Sequence, residues 1–286
     1  MKKWINSFLD GCQYFIEHYS FPDRSVALFR KSVYTILALK MLFLWPELDT
    51  FYRFLPVLKG RVPYSLKILY ISPTSNYYSM FWLLMCAVVC AGIVVKRRTW
   101  LSVLIFAFCY MYFKFITVTT NDCDILLRYF TFVLIFIREG GDKGTVRQMV
   151  NNVLLIALQV SFCLLYFVNS QGKMILPFWQ DGSFMSRVWE FPYYAQQWLI
   201  PTWFSNHWVA LIMSWAVMLF EIGFALLIWF RPFKKWLFII GILFHLGIAL
   251  FLSLPDFGAI MIVSYFLFTQ VDILKEIRQF RQREIH

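Results

Sequence analysis

Apolar runs long enough to cross a bilayer follow one another along the whole chain, at residues 26–45, 78–95, 100–119, 124–137, 149–169, 207–230, 236–254 and 257–270. A helix needs about 20 apolar residues to span a hydrocarbon core of about 30 Å. Two of these runs, 124–137 and 257–270, are short for that and are expected to be less tilted or partly embedded. The pattern predicts an all-α fold: a polytopic transmembrane helical bundle with about eight spans plus amphipathic terminal helices. Composition agrees, because only 15% of the 286 residues are charged and 21% are aromatic, against about 25% charged residues in soluble domains.

The formal net charge of +11 raises nucleic acid as a partner, but the distribution of the charge excludes it. Lys96, Arg97 and Arg98, then Arg138, Lys143 and Arg147, then Arg231, Lys234 and Lys235, and finally Lys275, Arg278, Arg281 and Arg283 stand after every second span. Basic residues held to alternate connections mark the cytoplasmic side. The chain is therefore expected to lie in the cell (inner, or cytoplasmic) membrane with both termini cytoplasmic. The loop 46–76, with Arg53, Lys59, Arg61 and Lys67, is the one exception. No secretory leader is expected, since Lys2 and Lys3 are followed by a broken polar sequence. No metal is expected either: the six cysteines form no CxxC pair, and most sit in apolar runs as small hydrophobes.

Three regions follow. Residues 1–25 form an amphipathic interfacial helix, 26–270 the membrane bundle, and 271–286 a basic helix suited to the anionic inner leaflet. Within the bundle, 170–206 is an outer segment rich in Trp, Phe and Tyr. An aromatic belt explains it, and so does a lid over the bundle mouth.

Ionisable groups in a bilayer are costly and face a partner or a cavity. Asp124, Lys114 and Arg128 are expected to form an ion-pair cluster of structural kind. Glu221 and His245 each lie about nine residues from the inner ends of antiparallel helices, roughly 13 Å by helix rise. They are therefore expected to meet at one depth. A carboxylate there orients an imidazole and raises its basicity, or the two simply fix helix packing. Lys173 follows an apolar helix, in the sequence Tyr166-Phe167 to Lys173 and then Trp179-Gln180-Asp181-Gly182. It either anchors a helix end at the headgroups or, shielded by the aromatic segment, acts as a neutral amine base.

Several stretches carry a family likeness. They are Ala27-Leu28-Phe29-Arg30, Asn121-Asp122-Cys123-Asp124-Ile125-Leu126-Leu127, Tyr166-Phe167 to Lys173 with Trp179 and Gly182, Glu221, and Gly241 to Ile248 with Phe257. In this order the chain resembles the HTTM (horizontally transferred transmembrane domain) family, which includes vitamin K-dependent gamma-glutamyl carboxylase. The resemblance implies that Lys173 is a base acting on a quinol, with His245 and Glu221 stabilising or relaying charge. Trp179, Tyr166 and Phe244 are then the residues beside a quinone or vitamin K-like lipid cofactor. Only a short basic tail follows the last span here, so gamma-carboxylation of a propeptide-bearing protein is not expected. The expectation is a carboxylase-like or quinone-linked membrane enzyme. The alternative is a non-enzymatic accessory protein that matures, or gives immunity to, a small exported peptide.

Overall fold

The structure, a computed structural model, describes residues 13, 23–44, 76–95, 98–115, 122–138, 145–190, 195 and 198–269. The terminal amphipathic helices and nearly all of the loop 46–76 lie outside them. Every described regular element is a helix. That follows from the sequence, because in an apolar solvent a helix satisfies its backbone N–H and C=O groups within the segment itself. The chain divides into two compact units, residues 27–139 and residues 140–286 with 1–26.

The first unit holds α1 (Asp23–Leu44), α2 (Asn76–Val94), α3 (Thr99–Phe115) and α4 (Asp122–Phe136). Helix α1 is fastened to each of the others by a polar contact. The guanidinium of Arg30 donates to the carbonyl of Gly92, and Trp82 Nε1 donates to the Met41 carbonyl at 3.1 Å. Tyr34 and Ser102 share a hydroxyl contact of 3.2 Å. Lys40 Nζ pairs with Asp124 Oδ1 at 2.5 Å, both largely buried. Asp124 thus takes a cation from α1, a partner the sequence reading did not assign to it. Arg128, one turn along α4, directs Nε to the backbone carbonyl of Asp124 at 3.3 Å. The Lys114 side chain lies outside the described residues.

The second unit opens with α5 (Val146–Met174), a helix of 29 residues capped by Thr145, whose hydroxyl accepts from Gln148 N at 3.3 Å. Short α6 (Pro177–Gln180), α7 (Ser183–Val188) and a 3-10 turn (Thr202–Ser205) follow. Then come α8 (His207–Leu227), α9 (Arg231–Phe251), α10 (Pro255–Ser264) and α11 (Phe266–Thr269). Pairings between α5 and α8 run in opposite order along the two helices: Phe162 and Tyr166 face Phe224, while Ser170 Oγ donates to the Met218 carbonyl at 2.9 Å. The two are antiparallel neighbours. The described part of the aromatic segment after α5 packs down as short helices, with Trp179, Met185, Trp189 and Phe204 in one apolar cluster with Ala210 and Met218. Gly182 makes this possible: its φ is +77°, and a Cβ there would lie 2.6 Å from the backbone of Leu211.

Among the described residues, three helices are long and apolar enough to cross a membrane: Val146–Met174, His207–Leu227 and Arg231–Phe251. Shorter apolar helices are Trp82–Val94, Thr99–Tyr110 and Pro255–Phe268. The remaining expected spans form helices but fall short for visible reasons. Helix α1 carries Asp23, Arg24, Arg30, Lys31 and Lys40 in 22 residues, and α4 has only 15 residues.

Candidate functional site

The apolar face of α5 changes character towards its C-terminal end. Tyr166, Ser170 and Lys173 are spaced four and three residues apart, so they share one face. The helix continues through Gly172 to Met174, which makes Lys173 part of the last turn instead of a residue beyond it. Its ammonium reaches Glu221 Oε1 of α8 in a salt bridge, with side chains 22% and 7% exposed. Above the pair, Lys173 Nζ lies 5.1 Å from the ring centroid of Trp179, a cation–π contact. Trp179 in turn stacks on Phe184 of α7, with centroids 4.5 Å apart and an interplanar angle of 25°.

A second cluster lies further back along α5, fully inside the unit. Tyr166 Oη is 2.7 Å from His245 Nε2 and 2.9 Å from Tyr265 Oη. A phenol has one hydrogen and can accept as well, so both contacts are satisfied together. Phe224 stacks against both tyrosines, at 4.6 Å and 5.2 Å. Phe244 borders the imidazole at 4.9 Å. Gly241 is what lets Tyr265 in, because a Cβ at that position would stand 2.2 Å from the Tyr265 hydroxyl oxygen.

All six residues singled out from the sequence thus fall in two neighbouring groups of one unit: Lys173, Glu221 and Trp179, and then Tyr166, His245 and Phe244. The pairing within them differs from the expectation. Glu221 bonds Lys173, and His245 bonds Tyr166, so the direct Glu221–His245 contact is not formed. Each keeps one buried atom without a hydrogen-bond partner among the described residues, Glu221 Oε2 and His245 Nδ1. Tyr265 and Phe224 were missed. A tyrosine in an apolar run reads as an interface anchor, and the one signal against that was Gly241, a small residue in the facing helix.

Beside the upper group lies a half-open cleft of about 640 Å³. Phe178, Phe184, Val188, Leu252 and Leu254 give it apolar walls, and Ser183 and Arg187 are its polar members. Phe184 therefore both lines the cleft and stacks on the tryptophan that covers Lys173. Ser253, between the two leucines, takes the left-handed conformation with φ 55°. Among the described residues no group of three or more His, Cys, Asp or Glu side chains could hold a metal ion.

No protein-family model, no curated protein and no solved structure matches this chain.

Proposed function

We propose that the chain is an integral membrane protein of the HTTM kind with eight crossings and both termini cytoplasmic. In this reading it binds a lipid-soluble quinone and exchanges protons with it at Lys173. The observation that carries the reading is the Lys173–Glu221 pair, set inside apolar helices and roofed by Trp179. Charged pairs in such surroundings are expensive to maintain and are commonly functional.

The residues fit such a ligand. Glu221 Oε2 is a buried acceptor without a donor among the described residues, and a phenolic O–H is a donor type that suits it. The cleft walls suit an isoprenoid or a fused ring, and its size falls in the ordinary range for small-molecule sites. A quinone, when bound, supplies reversible hydroxyl and carbonyl chemistry. The protein supplies proton handling. Lys173 and Glu221 would hold the hydroxyl end of such a ligand, and a proton shifted from the ammonium to the carboxylate would leave Lys173 free to accept one. Tyr166, two turns back along α5 from Lys173, and its partner His245 are the groups nearby that can take part in moving charge.

The experiment is a lipid extract of the detergent-purified protein, together with difference spectra on anaerobic addition of a soluble naphthoquinol. Isoprenoid quinone should be enriched over its level in the source membrane. The quinolate absorbance should appear with wild type and be lost with Lys173→Met. Quinone at the bulk membrane level, or identical spectra for the two proteins, would overturn the reading.

A further inference from the structure

Arg187 is the one charged residue among those lining the half-open cleft beside α7, and it is exposed there. Among the described residues its guanidinium has no hydrogen-bond or ion-pair partner. Asp181 is near enough to feel its charge, but that carboxylate is taken up by the backbone N–H of Ser183 at 2.8 Å. Ser183 stands four residues before Arg187 and so on the same side of α7. Its hydroxyl holds only a long contact of 3.4 Å to the Phe178 carbonyl. Leu252 and Leu254 add apolar wall, and Ser253 between them is held in the left-handed region at φ 55°. Strain of this kind persists where the surroundings impose it, and ligand clamps are among the usual places.

The level of the cleft along the bundle follows from α9. That helix begins at Arg231, Lys234 and Lys235, and its 21 residues rise about 30 Å before Leu252. The cleft therefore lies at the end remote from those cations. Phe204 packs on Phe251 at this end, with centroids 5.6 Å apart, and Trp203 and Trp208 stand exposed beside it in the chain. Exposed tryptophans of this kind belong to the headgroup level. On the topology proposed above, that is the outer leaflet.

We propose that the cleft holds an acyl chain of an anionic phospholipid from the surrounding bilayer, with the lipid phosphate on Arg187 and Ser183. The chain keeps the apolar walls out of water, and a volume of about 640 Å³ is in the ordinary range for such sites. A guanidinium meets a phosphate through two parallel N–H bonds, and the Ser183 hydroxyl is a further donor. Charge decides which lipid is held. The lining carries a cation and no acid, so a head with net negative charge is favoured over one whose ammonium cancels its phosphate. An isoprenoid tail suits the same walls but offers Arg187 no partner. A quinone held at the Lys173–Glu221 pair would therefore compete for the walls with its tail alone.

The lipid site rests on Arg187 and stands independently of the quinone reading, and its test uses no quinone. Native mass spectrometry is run on the intact protein in micelles holding phosphatidylglycerol and phosphatidylethanolamine in equal amounts. Wild type should retain phosphatidylglycerol in preference, and Arg187→Gln should lower the ratio of the two retained lipids about fivefold. Val188→Trp fills the cleft and leaves Arg187 in place, so it should reduce the number of retained lipids by one. Lys235→Gln, changed at the opposite end of α9, should keep the wild-type ratio. The same ratio in wild type and Arg187→Gln overturns the proposal. An equal fall in Lys235→Gln does so too, because it assigns the preference to total charge. So does an unchanged lipid number in Val188→Trp with native helicity by circular dichroism. If that variant does not fold, Arg187→Gln, at an exposed position, decides alone.

Discussion

Lys173 reaches back along α5 while Glu221 reaches up α8, and the two charges meet although their Cα atoms are not level. Ser170 bonds the Met218 carbonyl across the antiparallel pair. Lys173 therefore stands three residues above that level and Glu221 three below it, about 9 Å apart along the axis by helix rise. Side chains on a helix lean towards its N-terminus. In antiparallel neighbours these leans converge for a residue near the end of one helix and one beyond the middle of the other. Lysine's four-carbon stem covers the rest.

Breaking that pair leaves a buried carboxylate without its cation. Removing one partner of a buried pair costs about 3–5 kcal/mol, and the partial exposure of Lys173 puts this case at the lower end. Lys173→Met should therefore lower stability by about 3 kcal/mol, measured by denaturant unfolding in detergent micelles. Lys173→Met combined with Glu221→Leu should recover most of the loss. A double variant as unstable as the single one would show that the pair is not what holds α5 to α8.

The two tyrosines are not equivalent. Tyr166→Phe removes a hydroxyl shared by two buried partners, His245 and Tyr265, whereas Tyr265→Phe removes one contact and leaves Tyr166 bonded to the imidazole. Each buried polar group left unsatisfied costs about 1–3 kcal/mol. Thermal melts should place Tyr166→Phe clearly below Tyr265→Phe. Equal shifts would mean that the Tyr166–His245 bond contributes nothing.

Much of this was legible in the sequence. Seven apolar runs have ends that agree within about five residues with α1 to α5, α8 and α9, because hydropathy and helix length report on the same solvent. Depth counting placed Glu221 and His245 together, but depth does not choose partners. Which face each helix turns inward, and where a long stem can reach, decided for Lys173–Glu221 and Tyr166–His245. The same holds for Lys40, which is 84 positions from Asp124 in the chain (124 − 40) and takes it as partner. Tyr265 was hidden for a different reason: its role depends on the space that Gly241 leaves in another helix.

Two glycines should resist substitution for different reasons. Gly241→Ala places a methyl 2.2 Å from the Tyr265 oxygen and 2.7 Å from its ring, so α9 and α10 must separate or the tyrosine must leave Tyr166. Overpacking of this kind costs about 1–3 kcal/mol, and the effect should reach the His245 network. Gly182→Ala meets backbone at 2.6 Å and also requires a left-handed residue. Its loss should loosen α6 and α7, read as faster amide exchange there, with the Tyr166 cluster unaffected. Faster exchange around Tyr265 in Gly182→Ala would contradict this separation.

Asp181 gives α7 a dependence on acid. Its carboxylate accepts the first backbone N–H of α7, from Ser183 at 2.8 Å. That hydrogen bond holds the carboxyl below its ordinary value, with Ser183 its largest cause and nearby His207 and Arg187 assisting. An acid that is stronger in the folded state favours folding at pH values above its unfolded value of about 3.9, and the contribution disappears as pH falls through the lower folded value. Asn at this position keeps an acceptor oxygen but carries no charge to titrate. Amide exchange of residues 183–188, taken as the ratio of wild type to Asp181→Asn at each pH, should be flat from neutral pH to about 5. The ratio should rise below about pH 4, as the wild-type carboxylate protonates and its bond to Ser183 N weakens. A ratio that stays level down to pH 2 would mean that the carboxylate does not steady the start of this helix.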